Sequence, residues 1–385
     1  MRYLWYSIYV FVGSLAIYSL FFHRPDRGPE PAPQPVNTPV APADPAPESA
    51  SADVQIAILL DTSSSMDGLI QQARTQLWDI VSELQTDDKD SPRSVSVALY
   101  QYGNSRLERA DGFIERLSPL TGELDAVSVK LHALSTSGGK EYAPMAILRA
   151  TEELDWSDED SVEKVIVIAG NEGFNQGDVT ADRAMRAAAD KGIKVLPIFC
   201  ANGGATSTGL ASWKRASQLA NAELDTIDPD KVVAELETPY DAKIVEKYRE
   251  LQATRLTYGN QDYQQEVESV SAAANGYVTQ QSMSVQASRA VAQSRQGYQQ
   301  DLTADYGKAV NLDQLAPSQL PSRLRGLSKD EQVHLIQQNK AKRSKLENEI
   351  KSLQKERAAA QNSMYGEDAG MAAPSLGGSV RSKLR

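Results

Sequence analysis

Three oxygen-bearing side chains stand close together where an apolar run stops: Asp61, Ser63 and Ser65, within LLDTSSSM at residues 59–66. A carboxylate and two hydroxyls at alternate positions are hard donors, the kind that suits Mg²⁺ or Mn²⁺. The same serines also suit the N-cap of a following helix, where a side-chain oxygen accepts from a free backbone N–H. Further groups of the same chemistry lie downstream, with Glu141 in GGKEY (138–142) and Asn171 and Glu172 in AGNEG (169–173). Lys140, beside Glu141, could enter such a cleft and replace a cation with an ion pair.

Catalysis finds less support in these residues. Asp61 with Glu141 and Glu172 could serve as acid and base, but no substrate pocket is indicated. The three histidines, His23, His132 and His334, sit in no HExxH or nucleophile motif. SGGK superficially resembles a phosphate loop, yet Leu134 stands where that loop needs its first glycine. The expectation is a binding protein, not an enzyme.

Short apolar runs alternate with amphipathic segments around these motifs. VQIAILL ends at Asp61, and the following segment repeats Leu69, Ile70, Ala73, Leu77, Ile80, Val81 and Leu84 at helical spacing. SVSVALYQY with a hairpin partner near ADGFIERL, then KVIVIA and IKVLPIFC, supply further strands, with helices between them. Such alternation predicts an α/β fold with a mostly parallel, doubly wound sheet covered on both faces. Ligands of these sheets bind at the carboxyl ends of the strands, where Asp61, Ser63 and Ser65 would lie. Cys200, the single cysteine, excludes an intramolecular disulfide and suits a small buried position.

Asp-x-Ser-x-Ser after a first apolar strand resembles the von Willebrand factor A domain and its metal-ion-dependent adhesion site. The resemblance implies a Rossmann-like sheet, a divalent cation (Mg²⁺ or Mn²⁺) and a protein partner. It also implies a metal site drawn from Asp61, Ser63, Ser65, Glu141, Asn171 and Glu172. Two loops depart from the family pattern: Glu141 stands near the usual threonine after Gly-Gly, and Asn171-Glu172 replaces the usual Asp-Gly. GGKEY and AGNE resemble a group of bacterial membrane-associated or exported A-domain proteins. In the usual site neutral ligands leave the cation electron-poor, and a partner's carboxylate completes it. Glu141 would supply that anion internally and weaken the pull on an outside carboxylate. TGLASWKRASQLANAELDTID resembles the closing helix and strand of the same group, with a packing role for Trp213.

The rest of the chain surrounds that domain. Tyr3–Phe22 runs without a charge over a length that spans a bilayer as a helix, so residues 1–24 are expected to be an uncleaved transmembrane anchor. Residues 25–52 hold nine prolines and read as an extended linker. The A domain is expected over 53–238, a mostly helical extension over 239–361, and a disordered tail over 362–385. Leu346, Ile350 and Leu353 fall in a short coiled-coil register, compatible with docking as a hairpin or with self-association. The net charge of −11 argues against a nucleic-acid partner. Residues 53–240 are net acidic and 319–385 net basic, so the tail could fold back on its own domain, touch anionic lipid, or simply present a solvated helix face. Flanking arginines are nearly balanced across the apolar segment. The resemblance and the proline-rich spacer instead point to a single-pass protein with its soluble part outside the cytoplasm. Three accounts follow: a tethered binding module; an envelope scaffold whose A domain is inert and whose helical tail makes the contacts; and, least favoured by these residues, a hydrolase.

Overall fold

The computed structural model describes residues 52–85, 93–201, 206–231, 236–365 and 376–383. The expected anchor, and all of the expected linker but its last residue, lie outside the described residues. Among the described residues no helix is long and apolar enough to cross a membrane.

Strand β1 (Val54–Asp61) is buried along all eight residues, as a continuous apolar run demands when both faces of a parallel sheet are covered. Helix α1 (Asp67–Leu84) returns the chain to β2 (Val95–Tyr102), and β3 (Ile114–Thr121) follows as its antiparallel neighbour. Then come α2 (Leu124–His132), α3 (Ala143–Glu153), β4 (Glu163–Gly170), α4 (Ala181–Asp190), β5 (Lys194–Cys200), α5 (Ser207–Leu219) and β6 (Asp225–Ile227). The sheet order is β3-β2-β1-β4-β5-β6, parallel except at β3. Two apolar layers cover it. One holds Leu69, Leu77, Trp78 and Val81 of α1 with Val127 and Leu131 of α2, and the other holds Ile147, Ala184, Met185, Trp213 and Ala216 of α3, α4 and α5.

The extension adds α6 (Asp241–Gln252), α7 (Gln261–Val278), α8 (Met283–Gln296), the short α9 (Leu302–Asp305) and α10 (Lys329–Tyr365). It is part of the same compact unit as the sheet. Val285 and Ala292 of α8 enter the apolar layer beside α1. Arg289 of α8 makes a buried bidentate pair with Asp125 of α2 at 2.9 Å to each carboxylate oxygen, and Gln293 donates to the same carboxylate. Leu346 and Ile350 of α10 are buried in a second core with Ile244, Tyr248 and Val291. The heptad-like stripe is therefore used inside the chain, against α6 and α8.

Within the segment 362–385, expected to be disordered, the described residues are helical: α10 continues to Tyr365 and residues 376–383 form helix α11. Leu376 and Val380, one turn apart, are 1% and 2% exposed in the layer with α1. Two apolar residues at that spacing suffice for a docked turn of helix when a ready-made core receives them, although the local composition is poor in apolar residues.

Candidate metal and interaction site

Strand order reverses at β1, whose two neighbours are β2 and β4, and a crevice opens beyond their carboxyl ends. Three loops enter it. In the first, the Ser63 N–H donates to Asp61 Oδ1 at 2.7 Å, folding DTS back on itself. Thr62 ties this loop to β2, its N–H donating to the Tyr102 carbonyl and its hydroxyl to Gln101 Oε1. The second loop is laced to the first by Ser64 N–H to the Gly138 carbonyl, Gly138 N–H to Ser64 Oγ, and Ser137 N–H to the Thr62 carbonyl. In the third, Asn171 Nδ2 donates to Ser65 Oγ at 2.9 Å, and Glu172 N–H donates to Glu141 Oε2 at 3.3 Å. Trp213 Nε1 holds the Glu172 carbonyl at 2.7 Å, and its ring meets Phe174 edge-on.

The capping account of the serines does not hold. Met66 occupies the N-cap of α1, and no side chain caps the helix. Ser63 and Ser65 face each other instead, their hydroxyl oxygens 3.5 Å apart.

All six candidate residues gather in this crevice. Asp61, Ser63, Glu141 and Asn171 are buried, whereas Ser65 and Glu172 are exposed at the rim. Glu172 accepts a hydrogen bond from Gln176 at its rim position. Lys140 is also exposed and makes no ion pair among the described residues, so it does not fill the cleft. Cys200 is fully buried at the end of β5, as a small apolar side chain would be.

Asp61 and Glu141 face each other within hydrogen-bond reach, and the Ser63 hydroxyl lies against both. Burial pushes the Asp61 carboxyl up to about 6. Burial, and then the neighbouring Asp61 charge, push Glu141 up to about 10. Two carboxylates cannot both stay ionised in a dry crevice without a counter-charge, so the pair titrates as one unit, shifted upward. Asp61 Oδ2 and Glu141 Oε1 are buried, and no N–H or hydroxyl donates to either. A shared proton or a cation satisfies both, and the hard oxygen donors suit a small divalent ion. Among the described residues no three His, Cys, Asp or Glu side chains form a ligand set by themselves. A cation here would rely on the serine hydroxyls as neutral ligands.

Sequence reasoning passed over the residues that shape the floor. Gly170 ends β4 where a Cβ would stand 2.4 Å from the Tyr102 hydroxyl and 3.2 Å from Asp61 Oδ2. Gly103 has φ +82°, and its Cβ would come within 2.7 Å of Asp61 Oδ1. Tyr102 donates to the Ala169 carbonyl at 2.9 Å, bridging β2 and β4 beneath the site. The visible signal is a glycine at the close of each apolar run, Gly103 just after β2 in QYG and Gly170 as the last residue of β4 in IAG.

Residues 55–227 match the family described as von Willebrand factor type A domain. No curated protein sequence matches the chain. Among solved structures it is similar to BatB from Bacteroides thetaiotaomicron, at 18% identity and a TM-score of 0.35 over 46% of this chain and 90% of that one. It is also similar to an aerotolerance-related membrane protein from Bacteroides fragilis NCTC 9343, at 16% identity and a TM-score of 0.31 over 46% and 93%. A third is proximal thread matrix protein 1 from the mussel byssus, at 16% identity and a TM-score of 0.34, where the match spans 46% of this chain and 42% of that one. With its six-stranded, mostly parallel sheet and its loop crevice, residues 55–227 of this chain are a member of the von Willebrand factor type A domain family.

Proposed function

We propose that the chain is a protein-binding module that presents the rim around Ser65 and Glu172 to a partner, with the crevice beneath stiffened by a divalent cation. The observation that carries this reading is the pair of buried carboxylates, Asp61 and Glu141, each with an oxygen that no N–H or hydroxyl meets. Asp61, Ser63, Ser65 and Glu141 would hold Mg²⁺ or Mn²⁺, with Asn171 and Glu172 beside them. The cation would supply the counter-charge that ties the three loops together. Because Glu141 brings an anion of its own, the partner's grip falls on exposed rim groups more than on the metal. The apolar segment 3–22 would tether the module to a membrane, with the domain on the extracytoplasmic side.

Calorimetry and melting of the chain with Mg²⁺ and Mn²⁺, against EDTA, test the cation. A saturable heat and a raised melting temperature that vanish in Asp61→Ala are expected. Absence of any EDTA-sensitive change in the wild-type chain sinks the cation reading. A C-terminal reporter active only outside the cytoplasm tests the topology, and activity of that fusion is expected.

The scaffold reading draws on a different observation, the buried Arg289–Asp125 pair that welds the extension to α2. Partner capture by wild type, by Glu172→Lys and by Ser65→Arg separates the two readings. Loss in both rim variants favours the module, and unchanged capture favours contacts through the helices.

A further inference from the structure

Outside the A domain, the extension holds a cavity of about 360 Å³ between α7 and a 3-10 turn at Ser322–Leu324. Its walls carry two arginines, Arg255 and Arg323, among small polar and apolar side chains such as Ser271, Leu256 and Val267. Arg255 is the unusual member. Its side chain is 13% exposed, and its nearest carboxylate, Glu123, stands 3.6 Å away, beyond hydrogen-bond length. Arg255 Nε and Nη2 are buried and donate to nothing, while the guanidinium stacks on the Tyr298 ring at 4.2 Å. The nearby Tyr263 hydroxyl is buried and lacks a partner too, and it lies within electrostatic reach of Arg255 and Glu123.

Buried donors without acceptors are costly, and a guanidinium cannot escape by losing its proton. Nε and Nη2 are turned inward, with Nη2 toward Glu123, so Nη1 is the nitrogen that the cavity reaches, and it makes no hydrogen bond among the described residues. Arg323, exposed at the wall, uses Nη1 on the Ala253 carbonyl and makes no other hydrogen bond among the described residues. Two guanidinium groups beside one cavity, each with N–H groups left over, suit the oxygens of a carboxylate or phosphate. A cavity of this size also holds an organic body, which Leu256 and Val267 would contact. Glu268 in the wall and Glu123 behind Arg255 oppose dense negative charge, so polyphosphates and nucleic acid fit poorly.

We propose that this cavity is a binding site for a small organic mono- or dianion, with Arg255 and Arg323 receiving its carboxylate or phosphate. The site is independent of the crevice at Asp61 and does not rest on the function proposed for it.

Titration calorimetry and thermal melting of the full chain, kept in detergent for its apolar first segment, provide the test. Acetate and glutarate probe the carboxylate, and inorganic phosphate and glycerol phosphate probe the phosphate. Saturable binding of at least one of the four is expected. Arg255→Gln should weaken it by about tenfold or more, the value of one lost charge-assisted hydrogen-bond pair. Because Arg255 also packs on Tyr298, a second variant is decisive: Ser271→Phe fills the cavity while leaving both arginines in place, and should abolish binding at an unchanged melting temperature. Asp61→Ala should bind the anion as wild type does. No saturable heat from any of the four anions, or binding that survives Ser271→Phe, overturns the proposal.

Discussion

Asp61 and Glu141 set the behaviour of the site by being too close and too dry to be charged together. The folded-state values lie above ordinary carboxyl values, at about 6 for Asp61 and about 10 for Glu141. The folded chain therefore holds more protons than the unfolded chain between the ordinary carboxyl range and those values. Stability from the shared proton is complete below that range and is lost as pH rises toward about 10. In EDTA, the melting temperature is expected to fall steadily from about pH 5 to about pH 10, and Glu141→Gln should flatten that slope. Added Mg²⁺ should then stabilise more at alkaline than at mildly acid pH, because it must displace the shared proton. A metal-free melting curve insensitive to pH in both proteins would contradict the buried pair. At the floor, Gly170→Ala pushes a methyl against the Tyr102 hydroxyl, and overpacking of this kind costs about 1–3 kcal/mol. Urea unfolding of that variant reads the cost directly.

At the scale of elements, α8 contributes more than a surface helix would. Its Arg289 fills the carboxylate of Asp125 bidentately, sits near the Trp78 and Tyr248 rings, and donates to Asn275 of α7. Burial alone would lower its proton affinity, but the Tyr248 and Asp125 groups around it raise it above the ordinary arginine value. Asp125→Ala leaves a buried guanidinium unpaired and is expected to cost about 3–5 kcal/mol, measured as a shift in the urea midpoint. The Asp125→Leu, Arg289→Met double variant should recover much of that loss, since no charge is then stranded. Two similar contacts hold α10: Arg357 with Asp241 of α6 and the Ser284 and Ser288 hydroxyls of α8, and Arg343 with Asp301. Helix α11 depends on Leu376 and Val380, and Leu376→Ala is expected to cost about 2–5 kcal/mol at a site this buried.

For the molecule as a whole, the family domain is not a free-standing body. The layer that carries α1 and α2 also includes Val285 and Ala292 of α8 and Leu376 and Val380 of α11. A fragment ending at residue 240 would expose that face to water and leave Asp125 without its arginine. Such a fragment is expected to melt well below residues 52–385 and to self-associate, as gel filtration and thermal melting would show. Equal melting temperatures for the two would show that the extension is merely attached.

The sheet, its strand polarity and the place of Asp61 were legible because apolar runs and helical spacing are local properties, written in consecutive residues such as VQIAILL and LIQQARTQL. The three site loops could be named from GGKEY and AGNEG for the same reason. What no local pattern carries is which distant polar residues meet once water is removed. The pairing of Asp61 with Glu141, the exposure of Lys140 and the Arg289–Asp125 weld across 164 positions all depend on chain packing. The C-terminal helix shows the same limit: residues 376–383 have little apolar content of their own, and only the waiting core beside α1 decides that they fold.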